Sequence, residues 1–329
     1  MGLLSIAMLT SVALSAPRIA VIGGGASGIF SGIAAAESCS AGAVTVEILE
    51  ATRETLKKVS ISGGGRCNVL HDTSKPVSEI LNGYPRGKKE LTGLFNKRFP
   101  PAKAREWFEQ RGVVLKTEVD GRMFPNTDSS QTIINVLMGA ADEAGVHVEK
   151  QLKVTRIKKE ETGGFVVSTL GKDSSPKEVS YDAVILATGS SPSGYKLASE
   201  LGLKMVKPVP SLFTLSSKEQ VKEGGLLFGL SGLSVPNARI TFKIPVAGKK
   251  KMKALHQEGP LLITHHGISG PATLRLSAFG ARDFHDIKYK GDVTVHWAPE
   301  LGNTEEIAEA LWKMTSLSPK RHVATSCPL

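Results

Sequence analysis

Cysteine is scarce in this sequence, and no apolar run is long enough to cross a bilayer. The three cysteines among 329 residues, Cys39, Cys67 and Cys327, form neither a C-x-x-C pair nor a disulfide framework, so a reducing compartment is the simpler prediction. The apolar run from Leu3 to Ala16 is too short for a membrane-spanning helix, and no membrane span is predicted. Length and composition favour a globular protein of roughly two domains.

The same apolar run resembles the hydrophobic region of a secretory signal. No Lys or Arg precedes it, however, and Pro17 is poorly placed beside a cleavage point. We therefore treat residues 1–17 as an apolar extension or a signal-like segment, and a cytoplasmic and an organellar location both stay open.

Two kinds of catalytic site are also missing. No G-x-S-x-G elbow occurs with ordered Asp and His partners, so hydrolase chemistry has little support. His265 and His266 are adjacent, which rarely directs both rings at one ion, and no third ligand stands nearby in the sequence. We predict no metal site.

The formal net charge of +10 arises from 41 basic and 31 acidic side chains. Most of the excess is spread along the chain, but Lys249, Lys250, Lys251 and Lys253 form a local run. No aromatic residues that stack bases interleave this run, so we interpret it as a solvated loop and expect no nucleic-acid partner. The charge favours anionic cofactors and substrates.

The most informative stretch is an apolar strand that leads directly into a glycine-rich turn. The strand Ile19–Ile22 is followed by Gly23, Gly25 and Gly28, and a helix of small residues continues to Glu37. Gly23 permits the tight turn, Gly25 lets the backbone approach a diphosphate, and Gly28 lets helix and strand pack closely. The positive end of the helix faces the anion. The pattern predicts a dinucleotide-binding β-α-β unit.

Two further elements extend the predicted nucleotide site. Glu50 ends a second buried strand, Val44–Leu49, and an acidic side chain at that place accepts hydrogen bonds from ribose hydroxyls. A carboxylate there disfavours a 2′-phosphate, which favours FAD or NAD over NADP. The segment Lys57–Asn68 is predicted to form a second glycine turn, whose N–H groups and Arg66 face an anion.

Helices and short strands are predicted for the rest of the first 201 residues. Residues 88–111 have helical periodicity with a break at Pro100, and Ser129 and Ser130 are candidate helix caps. The expected strands are Val113–Leu115, a meander of Val146–Val148, Val154–Ile157 and Phe165–Leu170, and a buried strand that ends in Ala187, Thr188 and Gly189. Such a strand end lies near the ligand in nucleotide-binding sheets.

Beyond residue 202 the β-α alternation gives way to short apolar runs separated by Pro, Gly and Ser. This spacing predicts a β-rich, barrel-like domain. Within it, Gly270 and Pro271 are predicted to open a helix through Leu276, with Ser269 as its cap. Residues 304–315 are predicted to form one further helix.

Three side chains are candidates for chemistry. The thiolate of Cys67 can relay electrons beside a flavin if Arg66 lowers the thiol pKa, and packing in the core is the alternative role. His265 or His266 is a candidate general acid or base, because histidine exchanges protons near neutral pH. The candidate catalytic residues are therefore Cys67, His265 and His266.

Four segments together resemble the BaiN/YhiN-like flavoproteins, the aminoacetone oxidase family of FAD-binding enzymes. They are Val21–Gly28, Ile61–Asn68, Gly121–Pro125 and Thr264–Ala272. The resemblance implies an α/β fold in which a glutathione-reductase-like FAD-binding Rossmann domain is interrupted by a β-barrel domain and a small helical domain. We accordingly expect the FAD-binding domain at residues 18–201, the inserted β-rich domain at 202–300, and a helical segment with an irregular C-terminus at 301–329.

The resemblance and the motifs also imply which residues contact the cofactor. The expected FAD contacts are Gly23, Gly25, Ala26, Ser27, Gly28, Glu50, Gly64, Gly65, Arg66, Cys67, Asn68, Val154, Thr188 and Gly189. Two departures from the family are visible. The loop Ser190–Ser193 is shorter than in relatives, and the chain ends before the C-terminal segment that returns to their FAD domain.

Three functions are compatible with these features. The first is a FAD-dependent oxidoreductase that passes hydride between NAD(P)H, flavin and a small organic substrate or oxygen. The second is a truncated, non-catalytic FAD-binding protein, which the apparently missing C-terminal segment favours. The third is an RNA-modifying or RNA-binding flavoprotein, which the +10 charge suggests but which no RNA-binding motif supports.

Overall fold

The computed structural model describes residues 16–40, 42–245 and 252–317. It divides into two compact units, Met1–Val206 (unit 1) and Lys207–Leu329 (unit 2). Most of the N-terminal extension, Cys327 and the lysines at 249–251 lie outside the described residues. The domain limits expected near residues 201 and 300 stay predictions.

Unit 1 alternates strands and helices. In chain order its described elements are β1 (Arg18–Ile22), α1 (Ala26–Glu37), β2 (Thr45–Glu50), α2 (Lys57–Ile61), β3 (Leu70–His71), α3 (Val77–Ile80), α4 (Lys88–Gly93), α5 (Pro101–Glu109), β4 (Leu115–Thr117), β5 (Arg122–Pro125), α6 (Ser130–Glu143), β6 (His147–Lys150), β7 (Lys153–Lys159), β8 (Phe165–Leu170), β9 (Pro176–Tyr181), β10 (Ala183–Leu186) and α7 (Pro192–Glu200). Turns of 3-10 helix occur at Ser62–Gly65 and Leu81–Gly83, and a π-helical turn at Leu94–Arg98.

A four-stranded parallel sheet in the order β10-β1-β2-β6 forms the centre of unit 1. Val21 of β1 lies beside Ile48 of β2 and Ile185 of β10, and Val21 and Ile48 are fully buried. Parallel strands covered on both faces consist of continuous apolar runs, which is the pattern of β1 and β10. The predicted α/β fold with a Rossmann-like sheet is confirmed.

The prediction that Val146–Val148 belongs to a meander is wrong. This strand is β6, which pairs in parallel with β2, because α6 packs against α1 and returns the chain to the edge of the central sheet. The meander consists of β7, β8 and β9. The sequence pattern does not reveal β9, since most of its residues are polar and exposed.

A helical insertion, residues 75–111, separates β3 from β4. Its helices break at Pro100, as predicted, and Pro101 begins α5, where the missing N–H has no helical partner to lose. Aromatic rings hold the insertion against α1. The ring centroids of Phe30 and Trp107 are 4.9 Å apart, and those of Phe30 and Phe99 are 6.0 Å apart.

Unit 2 is built on an antiparallel sheet. Its described elements are β11 (Leu215–Ser216), α8 (Lys218–Val221), β12 (Ser234–Pro245), β13 (Met252–Thr264), β14 (Gly267–Ser269), α9 (Pro271–Phe279), α10 (Ala281–Asp286), β15 (Val293–His296) and α11 (Thr304–Leu317), with a 3-10 turn at Pro299–Leu301. The helices α9 and α11 confirm the helices predicted there.

The strand order in unit 2 is β11-β14-β13-β12-β15, in the region for which the sequence predicts a barrel-like domain. The core lies between this sheet and the helices α9 and α10. Phe284 of α10 packs on Phe242 of β12 with ring centroids 4.7 Å apart, and Leu276 of α9 is fully buried beside them. Among the helices that the structure describes, none has the length and apolarity needed to cross a membrane.

A hydrogen-bonded group of side chains ties the first two strands of unit 1 to the meander. The carboxylate of Glu47 accepts hydrogen bonds from the guanidinium of Arg18 at 2.5 Å and from the hydroxyl of Tyr181 at 2.7 Å. Partial burial raises the pKa of Glu47, but the hydrogen bonds from Arg18 and Tyr181 outweigh burial and hold this pKa below its ordinary value of 4.5. Glu47 is therefore ionised in the folded protein at neutral pH.

We expect Glu47→Gln to lower the free energy of unfolding at neutral pH by about 1–3 kcal/mol, because two hydrogen bonds lose their ionised acceptor. A carboxyl whose pKa is lowered by folding stabilises the protein above its unfolded pKa and loses that effect as the pH falls through its folded pKa. The difference between the two proteins should therefore shrink below about pH 4.5. Urea unfolding at several acidic pH values measures it, and a difference independent of pH would contradict this role.

Candidate functional site

A cavity of about 430 Å³ lies in unit 1, where the loops after β1, β2 and β10 meet. Ligands of open α/β sheets bind outside the carboxyl ends of the strands, and this cavity is at that edge. Its lining residues are Ile22–Gly25, Ser27, Leu49–Thr52, Glu54, Leu56–Lys58, Lys153, Val154, Ala187–Gly189, Ser191, Ser193, Gly194 and Leu197.

The glycine turn between β1 and α1 forms one wall of the cavity. Gly23 has a φ of +111°, which disfavours any L side chain. A Cβ on Gly28 would lie 1.8 Å from the carbonyl oxygen of Gly23, so only glycine lets α1 begin this close to β1. An added Cβ on Gly25, in contrast, would meet nothing within 4 Å. The turn is therefore packed tightly against the protein at Gly23 and Gly28, whereas Gly25 borders free space on the cavity side.

Glu50 is fixed at the end of β2 by three hydrogen bonds. Its Oε2 accepts from the N–H of Gly24 at 2.6 Å, and its Oε1 accepts from the N–H and from the hydroxyl of Thr52, both at 2.7 Å. A carboxylate has about four acceptor positions, so roughly one stays available to a ligand hydroxyl. Glu50 lines the cavity, and the ribose contact expected of it stays a prediction.

The prediction of a glycine turn that begins at Lys57 is wrong in its first part. The chain instead forms the short helix α2, which follows Leu56 in a left-handed conformation with φ of 57°. The N–H of Leu56 donates to the carbonyl oxygen of Gly24 at 2.9 Å, and this bond directs the start of α2 toward the glycine turn. The three glycines behind α2 do take positive φ values, as the sequence predicts.

The second half of the segment Lys57–Asn68 does not contribute to the lining of the cavity. Gly64, Gly65, Arg66, Cys67 and Asn68, which the sequence predicts as FAD contacts, do not line the 430 Å³ space, and neither do Ala26 and Gly28. Their contact with the cofactor stays a prediction.

Arg66 is held by acidic residues of the protein itself. Its guanidinium lies 2.5 Å from the carboxylate of Glu118 and 2.7 Å from that of Asp128. It also stacks over Phe124, with 4.0 Å between its central carbon and the ring centroid. These contacts direct the charge of Arg66 toward β4, β5 and the loop that follows them.

Cys67 is a buried thiol. Burial raises its pKa, and a hydrogen bond with Ser62 offsets this only in part. The lowering of this pKa that we expect from Arg66 therefore does not occur. A raised thiol pKa disfavours the reactive thiolate, so the structure supports packing as the role of Cys67.

The loop after β10 forms the opposite wall. Thr188 and Gly189 line the cavity there, and Val154 contributes from β7. The contact of these three residues with FAD stays a prediction. A Cβ on Gly194 would lie 1.7 Å from the hydroxyl oxygen of Thr188, so glycine is required where α7 approaches this loop.

Three lysines that line the cavity, Lys57, Lys58 and Lys153, are missing from the sequence-based set of cofactor contacts. Lys58 on α2 donates a hydrogen bond to the hydroxyl of Ser190 at 3.2 Å and so links α2 to the loop after β10. Lys153 begins β7 and lines the same space. No carboxylate of the described chain lies within 4.0 Å of the Lys58 amine. The sequence signal for Lys58 is a pair of lysines ahead of the glycines, and nothing local in the sequence indicates Lys153.

The two candidate histidines belong to unit 2. His265 and His266 occupy the exposed turn between β13 and β14, with ring centroids 4.0 Å apart, and the N–H of His266 donates to the hydroxyl of Thr264 at 3.3 Å. The prediction that Ser269 caps α9 is wrong, because Gly270, with φ of 95°, occupies the cap position and no side chain accepts there. Within the described residues, no group of three or more His, Cys, Asp or Glu side chains is placed to hold a metal ion.

The cavity residues fit the diphosphate of a dinucleotide. The first turn of α1 leaves N–H groups without helical acceptors, and they face the edge of the sheet where the cavity lies. Lys57, Lys58 and Lys153 add positive charge, and the open space at Gly25 is where a ligand approaches the backbone. Together with Glu50 as an acceptor, this arrangement can hold a cofactor such as FAD.

Comparison with known proteins identifies related sequences. The HI0933-like protein Rossmann domain family matches residues 17–302. The chain is 28% identical over 294 residues to the 3-dehydro-bile acid delta(4,6)-reductase of Clostridium scindens, and 27% identical over 267 residues to the ribosomal RNA dihydrouridine synthase of Escherichia coli. These alignments cover 86% and 79% of this chain, which spans only 65% and 60% of the two relatives.

Similar solved structures are more distant. One is the open conformation of a flavocytochrome c3 fumarate reductase, with a TM-score of 0.49 and 18% identity over 67% of this chain and 47% of that chain. Another is Thermovibrio ammonificans THI4, with a TM-score of 0.42 and 16% identity over 62% of this chain and 71% of that chain.

We expect Gly25→Ala to leave the fold intact and to weaken FAD binding at least about 10-fold, because the new methyl group meets no protein atom but occupies the space that a diphosphate needs. Titration of FAD followed by its fluorescence measures affinity, and circular dichroism measures stability.

Gly139→Ala is the matched control, since an added Cβ there also meets nothing and Gly139 lies within α6 outside the cavity. Undiminished FAD affinity in Gly25→Ala would mean that the ligand does not approach the turn.

Proposed function

Because the chain belongs to the HI0933-like protein Rossmann domain family, we propose that it binds FAD in the cavity of unit 1 and acts as a flavin-dependent reductase. Its proposed substrate is an organic molecule with a carbon–carbon double bond conjugated to a carbonyl group. Its proposed electron donor is NADH or NADPH. The observation that carries the proposal is the glycine turn that opens onto the cavity at Gly25, at the N-terminus of α1.

The names of the two curated relatives support this class of reaction. Delta(4,6)-reductase and dihydrouridine synthase both denote the saturation of a carbon–carbon double bond, although the molecules that the two proteins act on differ greatly in size. A conjugated carbonyl group makes such a bond reactive toward hydride, because its oxygen takes up the developing negative charge. One hydride and one proton complete the reduction, and NAD(P)H supplies the electrons.

The cofactor, when bound and reduced, supplies the hydride. The chain supplies its binding and orientation. The N–H groups at the start of α1 and the ammonium of Lys58 hold the diphosphate, and the remaining acceptor position of Glu50 takes a ribose hydroxyl. Arg66 and Cys67 support the neighbouring glycine segment from outside the cavity lining.

We propose His265 and His266, the adjacent imidazoles of the turn between β13 and β14, as candidate proton donors. Both rings are exposed. His266→Gln should slow substrate reduction without release of flavin, whereas unchanged turnover would remove His266 from the mechanism. Steady-state rates and the flavin content of the same preparation measure the two effects.

The visible spectrum of the purified protein tests the central proposal. We expect flavin absorbance, its bleaching by NADH or NADPH without oxygen, and its return on addition of a conjugated enone such as cyclohexenone. The same measurement with a 3-oxo-4,6-diene steroid and with a uridine-containing RNA then shows whether a small or a large substrate reoxidises the flavin. Flavin that is retained but never bleached by either nicotinamide would support the alternative, a non-catalytic FAD-binding protein. Folded protein that binds no FAD would overturn both.

We expect Lys58→Met to weaken FAD binding roughly 10- to 100-fold, because the diphosphate loses a charged donor. Lys58→Arg should keep most of the affinity. The affinity of the variant for ADP should fall by the same factor as its affinity for FAD. Its affinity for riboflavin, which has no phosphate, should be unchanged. Lys89→Met, an exposed lysine outside the cavity, is the control. Equal losses for riboflavin and ADP would contradict a diphosphate contact.

A further inference from the structure

A second large cavity lies within unit 2. Its volume is about 850 Å³, and the described residues that line it all fall between Leu215 and Trp297. Leu215 belongs to β11, while Val293 and Val295 belong to β15, and these two strands are the opposite ends of the sheet. The sheet therefore curves until both of its ends border one space. Ligand cavities of roughly 300–1,000 Å³ are found in the mouths of β-barrels, which are sheets curved in the same way.

Branched aliphatic side chains form the inner wall of this cavity. Leu227, Ile263 and Ile268 line it and are buried members of the hydrophobic core of unit 2. Leu215 and Val235 line it as well and are only partly buried. The wall is thus continuous with the core and forms one side of the cavity. It offers an apolar ligand a surface from which water can be displaced.

A loop of exposed leucines forms the rim of the cavity. Leu226, Leu230 and Leu233 line the cavity, and all three are exposed. At the start of the loop, the N–H of Leu226 donates a hydrogen bond to the side-chain oxygen of Gln220 at 3.2 Å. At its end, the carbonyl oxygen of Leu233 accepts a hydrogen bond from the N–H of Ile263 at 2.9 Å. The leucines are therefore held at the opening, and an exposed apolar patch beside a cavity is typical of a binding site.

The charge of the lining has one sign. Among the described residues that line the cavity, Asp292 is the only Asp, Glu, Lys, Arg or His. Its side chain is exposed, and no basic side chain in the described part of the chain lies within 4.0 Å of its carboxylate. The other polar lining side chains, such as Ser217 and Thr294, are uncharged. An anionic group in this cavity would therefore meet a like charge, which disfavours it, whereas a cationic group would find a partner.

We propose that the cavity of unit 2 binds an amphipathic cation, an amine whose apolar body fills the space and whose ammonium group meets Asp292. Contact of the apolar body with the aliphatic wall and the leucine rim drives binding. The carboxylate accepts a charge-assisted hydrogen bond from the ammonium group. The inference goes beyond the proposed function, because binding at this site requires neither flavin nor hydride transfer.

Other classes of ligand would use only part of this arrangement. A neutral apolar molecule would contact the wall and the rim and would be indifferent to the charge of Asp292. An anionic amphiphile would contact the same apolar surface but would be repelled by the carboxylate. Only a cation uses both features, so a change of head-group charge at constant chain length separates the three classes.

The test compares decylamine, decanol and decanoate, which share one alkyl chain and differ in head-group charge at neutral pH. Each is used below its micelle concentration to displace the neutral fluorescent probe N-phenyl-1-naphthylamine from the protein. We expect decylamine to bind roughly 3- to 10-fold more tightly than decanol, and decanoate more weakly than decanol. Asp292→Asn should remove the advantage of decylamine and leave the affinity for decanol unchanged. Leu230→Ser should weaken the binding of all three ligands several-fold, because apolar contact at the rim is lost.

Two matched controls change exposed residues of unit 2 outside the cavity lining. They are Asp286→Asn and Leu212→Ser, and both should bind the three ligands as the wild type does. Losses confined to the cavity variants, with the head-group preference abolished only in Asp292→Asn, support the proposal. No binding of decylamine by the wild type, affinity for decanoate equal to or above that for decylamine, or the same losses in the controls overturns it.

Discussion

The close approach of α1 to the end of β1 is the constraint on which the cofactor cavity depends. A side chain on Gly28 would collide with the carbonyl oxygen of Gly23, so the helix can begin at this place only if both positions are glycine. The turn is then tied to the neighbouring loop by two backbone hydrogen bonds, from Gly23 to Leu49 and from Leu56 to Gly24. The N–H groups of the first helical turn are thereby aimed at the edge where the loops of the parallel sheet converge.

Unit 1 holds a cofactor site with few reactive side chains of its own. Cys67, the nucleophile that the sequence suggests for this site, is buried with a raised pKa, and Arg66 beside it is engaged by two carboxylates. Chemistry at this site would therefore come from the cofactor, with the protein as its holder.

The sequence by itself determined the features that depend on neighbouring residues. The spacing of Gly23, Gly25 and Gly28 fixes a turn, Pro100 ends a helix, and Ser129 caps α6 by accepting a hydrogen bond from the N–H of Gln131. Each is set by backbone conformation within a few residues, so a local pattern is sufficient. The position of Glu50 at the end of β2 was predictable for the same reason.

Only the tertiary structure decided what distant segments do together. The tertiary structure pairs β6 with β2 in the central sheet. It brings the amine of Lys58 within hydrogen-bond distance of Ser190, 132 residues away, and the guanidinium of Arg66 within hydrogen-bond distance of Glu118 and Asp128. These contacts join residues far apart in the chain, and their geometry follows from how α6 and the parallel sheet pack. Local periodicity carries no information about such packing, because the same short pattern of residues is compatible with several partners until the whole chain has closed around its core.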